Sequence, residues 1–379
     1  MRYCKKCVMP ETRPGIKFDE NDVCYPCLAA EKKKTINWDK RMEELKALCD
    51  KHRGRRGDYY DCMIAVSGGK DSHYQVYMMK EVMKMNPLLV SVDNFSWTKT
   101  GRENFFNIRD AFNCDCISLN MSPNMARKMF RKAFKKFGSP TWLWDKAIYV
   151  YPIRMAINMG IPLIVYGENI SYEYGGAQVK ETPSASDQIN NDVARSYDWS
   201  EWLEGGDISM KELNSCVYPT EEEIKNAKLE PVYLSYFVPW DGYSNCKLAK
   251  KHGFKSLDDT GEWKREGFIE DYDKIDAIGY LVHPWMKYPK YGHTRATDVC
   301  SYWIRSGKIT REEAIKLVKE NDYKLDARAL KDFIDFLGIS ESEFWKTVEK
   351  FWNREIFHKV DGKWQLKDPI WEQERVAPV

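Results

Sequence analysis

Ser67-Gly68-Gly69-Lys70-Asp71-Ser72 constrains this chain more than any other stretch of it. An apolar run, Met63-Ile64-Ala65-Val66, precedes it, and Tyr74-Gln75-Val76-Tyr77-Met78-Met79 behind it reads as the beginning of a helix. A buried strand that feeds a glycine turn and then a helix N-terminus makes a cradle for phosphate. Two glycines let the backbone approach a ligand with no Cβ in the way. The unpaired N–H groups of the first helical turn point at the anion, and the helix dipole adds to the attraction. The pattern is not the Walker loop, which has four residues between its glycines and ends in Gly-Lys-[Ser/Thr]. The plain alternative is an ordinary glycine turn, against which the strand–turn–helix context argues.

The order of elements around this turn predicts an α/β fold with a doubly wound, mainly parallel sheet. Further strands are expected at residues 88–92, ending at Asp93-Asn94, at 116–119, and at 161–166, ending at Gly167-Glu168-Asn169. Helices are expected over 38–56, from the loop to about Met85, over 125–137 and over 146–159. Ligands of such sheets bind beyond the carboxyl ends of the strands. That rule gathers Ser67 to Ser72, Asp93-Asn94 and Gly167 to Asn169 on one rim. Residues 170–300, rich in Tyr, Trp, Gly and Pro, read as long substrate loops with some helix. Helical signals return after 305, where Thr310-Arg311-Glu312-Glu313 and Ser340-Glu341-Ser342-Glu343 both fit a capping box. Three regions follow: a Cys-rich module over 1–35, the α/β domain with its loops over 36–300, and a helical region over 301–379.

Four of the eleven cysteines lie in the first module as two Cys-x-x-Cys pairs, Cys4/Cys7 and Cys24/Cys27, with sixteen residues between the pairs. Each pair places two thiolates on one side of a tight turn, and two such turns complete a tetrahedral S₄ site for Zn²⁺. So short a segment has too little apolar area to fold alone, so metal would supply much of its stability. Four Cys ligands close the coordination shell, which makes the expected role structural. A redox pair and unrelated buried thiols are the alternatives.

Several other groups are candidates for chemistry. Backbone N–H groups from Gly68 to Ser72, with the Ser67 and Ser72 hydroxyls, would hold phosphates, and Lys70 would add charge. Asp71 is acidic where an anion binds, which makes sense if it helps hold Mg²⁺; otherwise it favours the helix dipole as a first-turn carboxylate. Asp93 closes a strand where an adenosine would lie, or is a turn residue. Lys290 and Arg295 belong to a stretch, 287–298, dense in cations and without helical period; they would neutralise charge in phosphoryl-type transfer or form a solvated basic loop. Glu168 and Glu173 stand near the expected rim with Gly167 and Asn169. They would bind and deprotonate ammonium or orient a polar group, or else Glu168 caps and Glu173 is solvated. The helix around 127–136 puts six cations on one face, which reads as a solvated face, a nucleic-acid contact or a docking surface for an acidic protein.

Ser-Gly-Gly-x-Asp-Ser after a strand resembles the PP-loop of the ATP pyrophosphatases. Taken with Cys4-x-x-Cys7-Val8-Met9-Pro10, Cys24-x-x-Cys27, Gly167-Glu168-Asn169, Lys290-Tyr291-Gly292, Arg295-x-Thr297-Asp298 and the stretch Ile304-Arg305-x-Gly307-x-Ile309-x-Arg311-Glu312-Glu313-Ala314, the whole chain resembles the N-acetyl sugar amidotransferases of bacterial surface-polysaccharide and flagellin-sugar pathways. The resemblance implies ATP and Mg²⁺ at the loop and amidine synthesis as the reaction. The acetamido oxygen of an N-acetyl sugar, expected in nucleotide-activated form, would attack the α phosphate of ATP; pyrophosphate would leave, and ammonia would then replace AMP. No glutaminase nucleophile motif is evident. The resemblance therefore implies a separate glutaminase with a channelling partner like those of histidine biosynthesis.

Composition bears on compartment and partners. No run of eighteen apolar residues is present, which argues against a membrane span, and Met1-Arg2-Tyr3-Cys4 opens without the apolar core of a signal peptide. An ATP-using enzyme with an odd number of cysteines is expected in a reducing cytoplasm. A net charge of +2 gives no overall pull toward nucleic acid. The second reading is a PP-loop tRNA-thiolating enzyme, with Cys114 and Cys116 as its nucleophile candidates. The third is a non-catalytic zinc-ribbon and ATP-fold binding protein, against which the intact loop argues.

Overall fold

The first strand, β1 (Cys62–Ala65), is apolar at every position, as a strand covered on both faces requires. A computed structural model, which describes residues 1–55, 57–176, 181–186 and 200–373, shows what covers it. β1 pairs in parallel with β2 (Pro87–Val92) on one side and with β4 (Leu163–Tyr166) on the other. β3 (Cys116–Leu119) continues from β2, and β5 (Glu230–Tyr233) from β4, both parallel. The order is β3-β2-β1-β4-β5, so the chain reverses its direction of winding between β1 and β4. This is a doubly wound α/β sheet.

Alternation along each strand assigns the faces. Ile64, Leu89, Leu163 and Val165 pack with Leu45 and Cys49 of α2 (Trp38–His52), Val76 of α3 (Lys70–Val76) and Ile108 and Phe112 of α4 (Lys99–Phe112). Met63, Leu88, Val90, Ile164 and Tyr166 turn the other way, onto Ile153 and Ala156 of α6 (Trp142–Met159). Between β3 and α6 lies α5 (Pro123–Phe137), which buries Met125, Met129, Phe130, Ala133 and Phe134 at helical spacing. It ends at Gly138, whose left-handed φ of 57° stops the helix.

Beyond β4 the loop expectation needs correction. β5 completes the sheet with the unpromising sequence Glu-Pro-Val-Tyr; Pro231 is tolerated because this is an edge strand. The short helix α7 (Ile170–Tyr174) follows β4, and α8 (Gly242–Lys251) packs on α3. Residues 177–180 and 187–199 of the expected substrate loops lie outside the described residues. The stretch 287–298, expected to lack helix, is a short helix at Lys287–Tyr291, a turn at Gly292 with φ of 75°, and the start of α9 (Arg295–Arg305). Gly and Pro there punctuate helices rather than mark a loop.

The C-terminal region is mainly helical, with α10 (Arg311–Asn321), α11 (Ala327–Leu337) and α12 (Glu341–Val348). It also carries an unexpected antiparallel hairpin, Phe357–Val360 with Lys363–Leu366, turned by Asp361 and Gly362 at φ of 48° and 77°. Asp-Gly between two such runs is the sequence signal for that turn. The capping box at Thr310 is complete, whereas at Ser340 only the serine half forms, because Glu343 is drawn to Lys135 of α5 at 2.7 Å. The expected boundary at 300–301 falls inside α9. Tyr3 and Val8 of the Cys-rich module share a core with Cys300, Ala314, Ile315, Val318 and Ile370, so the two ends of the chain pack together.

The cations of α5 are mostly engaged within the chain. Arg127 and Arg131 donate to the carbonyls of Phe336 and Leu337 at the C-terminal end of α11. Lys132 donates to the carbonyls of Trp202 and Glu204, and Lys128 to that of Asp207. Cations at a helix C-terminus satisfy its orphan carbonyls and its dipole. No helix among the described residues is long and apolar enough to cross a membrane.

Candidate active site

Where the winding reverses, a cleft of about 670 Å³ opens beyond the carboxyl ends of β1 and β4. The turn after β1 forms its floor. Gly68 holds φ of 85°, and a Cβ there would stand 2.6 Å from the Phe105 Cα of α4, so glycine is required twice over. The Ser67 amide donates to Ser72 Oγ at 3.0 Å, and the Gly69 amide to Ser67 Oγ at 3.3 Å. Gly69 caps α3 without a side-chain acceptor, leaving the N–H groups of the first turn for an anion. Beneath the turn, His73 is buried, donates from Nδ1 to the Gly69 carbonyl at 3.0 Å, and accepts at Nε2 from Asn107 Nδ2 at 3.0 Å. Burial holds its pKa down at about 4, so it is a neutral brace for the turn.

Charge in the cleft is organised around Asp273. Lys70 is buried, with Nζ 2.6 Å from Asp273 Oδ1 and 2.5 Å from Asp71 Oδ2. Arg295 Nη2 takes the other oxygen of Asp273 at 2.5 Å. Burial alone would lower the Lys70 pKa, but Asp273 and Asp71 outweigh it and raise it well above the usual lysine value. Burial would raise Asp273, yet Lys70 and Arg295 hold it well below the usual carboxylate range. The other oxygen of Asp71 accepts from Asn245 Nδ2 of α8 at 2.9 Å. Across the cleft, burial and then the Asp71 charge push the Glu168 carboxyl up to about 7.

Of the residues singled out in the sequence, Ser67, Gly68, Gly69, Lys70, Asp71, Ser72, Gly167, Glu168 and Arg295 line this cleft together. Four others do not. Lys290 instead donates to the Gly138 carbonyl at 3.0 Å, closing the C-terminal end of α5; burial, then Lys287, pulls its pKa down to about 8. Glu173 turns away into an ion pair with Lys33. Asn169 caps α7 by accepting from the Tyr172 amide at 3.2 Å. Asp93 accepts from Trp97 Nε1 at 2.7 Å and from the Asn94 amide at 2.9 Å. Its neighbour Asn94 lines a second space of about 200 Å³ with Val66, Val90, Val92 and Trp97, which shares Ser67, Trp144 and Tyr149 with the main cleft.

The far half of the cleft was not foreseen. Its walls carry Trp142, Trp144, Tyr149 and Tyr280, with Asp145 and His283 among them. His283 stacks on Tyr280 at 5.6 Å, and Lys274 lies 5.3 Å over the same ring. Burial raises Asp145 to about 6. These residues come from α6 and from the segment before α9, neither of which shows a motif; only the density of Trp and Tyr hinted at an aromatic surface. Cys114 and Cys116 stand at the opposite, N-terminal end of β3, and burial pushes both thiols up to about 11, the reverse of what a nucleophile needs.

The four N-terminal cysteines do converge. Their Sγ atoms all lie within 4.8 Å of one another and all four residues are buried. Cys4 and Cys27 are 3.9 Å apart, Cys7 and Cys24 3.6 Å. A tetrahedral site with Zn–S near 2.3 Å has edges of about 3.8 Å, so the cage is the size such an ion needs. The amides of Lys6, Cys7 and Cys24 aim at Cys4 Sγ over 3.2–3.4 Å, as suits a thiolate. Arg311 donates to the carbonyls of Cys4 and Cys7, which brings positive charge beside the cluster. This group can hold a metal ion such as zinc.

Fold and cleft together define a doubly wound α/β protein with a glycine turn and a cleft at the switch point of its sheet. Residues 266–369 match the family profile of the C-terminal domain of WbpG-like lipopolysaccharide biosynthesis proteins. That segment supplies Asp273, Lys274, Tyr280, His283, Lys287, Arg295 and Asp298 to the cleft. The match supports a sugar-biosynthesis family and suggests an enzyme. An uncharacterised protein of Methanocaldococcus jannaschii is 28% identical over 314 residues, which span 83% of this chain and 91% of that protein. A pantothenate kinase of Brevibacillus brevis is 30% identical over 113 residues, covering 26% of this chain and 35% of the kinase, too small a share of either to bear on activity.

Two outcomes are expected. Metal analysis of the purified protein should find one zinc per chain, and Cys24→Ser should lose both metal and solubility; stoichiometric iron with visible absorbance would contradict the structural S₄ site. For Glu168, the folded protein retains a proton between the ordinary value of 4.5 and about 7 that the unfolded chain has released. Stability therefore falls as pH rises through that window. The melting temperature of wild type relative to Glu168→Gln should drop between pH 5 and pH 8, and a difference that stays constant would rule out the raised carboxyl.

Proposed function

We propose that this chain is an ATP-dependent amidotransferase that converts an acetamido sugar, in nucleotide-activated form, to an acetamidino sugar. The single observation that carries the reading is the Ser67–Ser72 turn at the switch point, beside Glu168 and under Arg295. ATP would lie with its β and γ phosphates on the turn and its adenine toward the apolar space of Val66, Val90 and Val92. Mg²⁺, held through Asp71, would neutralise part of the phosphate charge. The aromatic half of the cleft, with Trp144, Tyr149 and Tyr280, suits a sugar and its carrier base.

The reaction runs in two displacements. The acetamido oxygen bonds to the α phosphorus as the α–β bond breaks, and pyrophosphate leaves with its negative charge met by Lys70 and Arg295. In the resting site both cations are paired with Asp273, so they are held ready at the turn. Ammonia then adds to the imidate carbon and gives up a proton as AMP departs with the former acetamido oxygen. Glu168, poised at about 7, is suited to accept that proton near neutrality. Lys290 and Glu173, engaged with the end of α5 and with Lys33, take no part in these steps. A separate glutaminase with a channelling partner is proposed as the ammonia source; the α5 cations are largely taken up within the chain, which weighs against α5 as its docking surface.

The test is a pyrophosphate-release assay over nucleotide-activated acetamido sugars with ammonium. Release should require the sugar, repeated turnover should require ammonium as well, and the turnover rate should rise with pH as the fraction of neutral NH₃ grows. Glutamine should not replace ammonium for the purified chain. Asp71→Asn should keep the fold and lose release by about a hundredfold or more, the scale of losing one electrostatic partner of the transferred group. Near-normal release in that variant would remove Asp71 from the metal role, and no release with any acetamido sugar would remove the proposed activity.

A further inference from the structure

The loop between the two cysteine pairs reaches the cleft. Arg13 follows a turn in which its amide donates to the Pro10 carbonyl at 3.3 Å, and its side chain lines the cleft wall. Arg13 Nε donates to the carbonyl of Gly175, just after α7, at 3.1 Å, and Nη1 pairs with the buried carboxylate of Asp298 in the first turn of α9. Asp298 also lies 3.5 Å from Lys287 Nζ and stands three residues beyond Arg295. One guanidinium thus ties the segment after β4, which carries Glu168, to the helix that carries Arg295.

A second observation shows how closely the module is seated there. Gly175 holds φ of 97°, and a Cβ on it would lie 2.3 Å from Ile16 Cδ1 and 3.3 Å from Pro26 Cγ. Ile16 lies between the cysteine pairs and Pro26 inside the second pair. Lys33, at the end of the helix Tyr25–Lys33 that begins within that pair, forms the ion pair with Glu173, whose carbonyl accepts from Arg305 Nη2 at 3.0 Å. Removing Arg13 would leave Asp298 buried with Lys287 as its remaining ion-pair partner, a costly arrangement for a carboxylate.

We propose that Arg13 is a positioning residue through which the metal-bound cysteine module sets the geometry of the active-site cleft, by holding the Gly175 carbonyl and the Asp298 carboxylate in fixed relation. The inference rests on the cleft being the active site and on the four cysteines holding metal. Its consequence is that metal loss reaches the cleft through Arg13, although none of the four cysteines lines it.

Amide hydrogen exchange on the full-length, zinc-loaded chain tests this without any nucleotide or sugar, so failure of the ATP reading leaves the result standing. Arg13→Ala that retains its zinc and one cooperative unfolding transition should exchange at least about tenfold faster across 170–176 and 294–298, the signature of local opening. Strands β1 and β4 should be unchanged, and Arg13→Lys, which keeps the charge facing Asp298 but lacks the Nε donor to Gly175, should restore protection at 294–298 more than at 170–176. Chelating zinc from wild type should speed the same two segments, and chelation should add little there in Arg13→Ala. Unchanged exchange in zinc-loaded Arg13→Ala overturns the proposal, as does equal acceleration over the whole chain or full additivity with chelation. Should Arg13→Ala fail to fold or to hold zinc, Asp298→Asn, which breaks the pair from the other side, must show the same local pattern, and its absence there overturns the proposal equally.

Discussion

Asp273 is the charge on which the candidate site depends. Its two oxygens meet Lys70 at 2.6 Å and Arg295 at 2.5 Å, joining the turn after β1 to the helix that opens the C-terminal region. Lys70 is buried and the Arg295 side chain is only 12% exposed; a buried cation without its counter-ion is strongly destabilising, on the order of 3–5 kcal/mol when one partner of such a pair is removed. The arrangement is therefore better understood as a poised set of charges than as a source of net stability. An anion arriving on the turn would enter a site whose positive groups are already largely desolvated and aimed, the condition under which electrostatic stabilisation is strongest.

That pairing explains why the C-terminal third matters to a cleft built on the N-terminal sheet. The segment that matches WbpG-like proteins contributes Asp273, Arg295 and Asp298 to one wall, while β1 and β4 contribute the turn and Glu168 to the other. The cysteine module stands at the seam between these walls. Its core residues Tyr3 and Val8 pack with the C-terminal helices, and Arg311 of α10 returns hydrogen bonds to the Cys4 and Cys7 carbonyls. A metal ion held by the four cysteines would be a local constraint with reach, because the module is fastened to both sides.

Much of the sheet and the floor of the site was legible in the sequence. Four strands are near-continuous apolar runs with turn signals behind them, and Ser67–Ser72 follows the first of them. β5 was not legible, because its Glu-Pro-Val-Tyr carries neither alternation nor a long apolar run. Nor was Asp273, which has no motif around it and gains its role from two cations 203 and 22 residues away in sequence. The cation-dense stretch shared with Arg295 points Lys290 to the site, and nearness in sequence to Glu168 points Glu173 there. Tertiary packing sends one to a helix end and the other to Lys33. Arg13 was missed because its loop was read only as the link between cysteine pairs.

If an acetamido oxygen is activated by transfer to the α phosphate of ATP at the Ser67–Ser72 turn, that oxygen ends in AMP. The most direct measurement follows that oxygen. A nucleotide-activated sugar carrying ¹⁸O in its acetamido carbonyl, turned over with MgATP and ammonium, should deliver the label to AMP and leave pyrophosphate unlabelled. AMP without label, or formation of ADP and inorganic phosphate in place of AMP and pyrophosphate, would contradict the account.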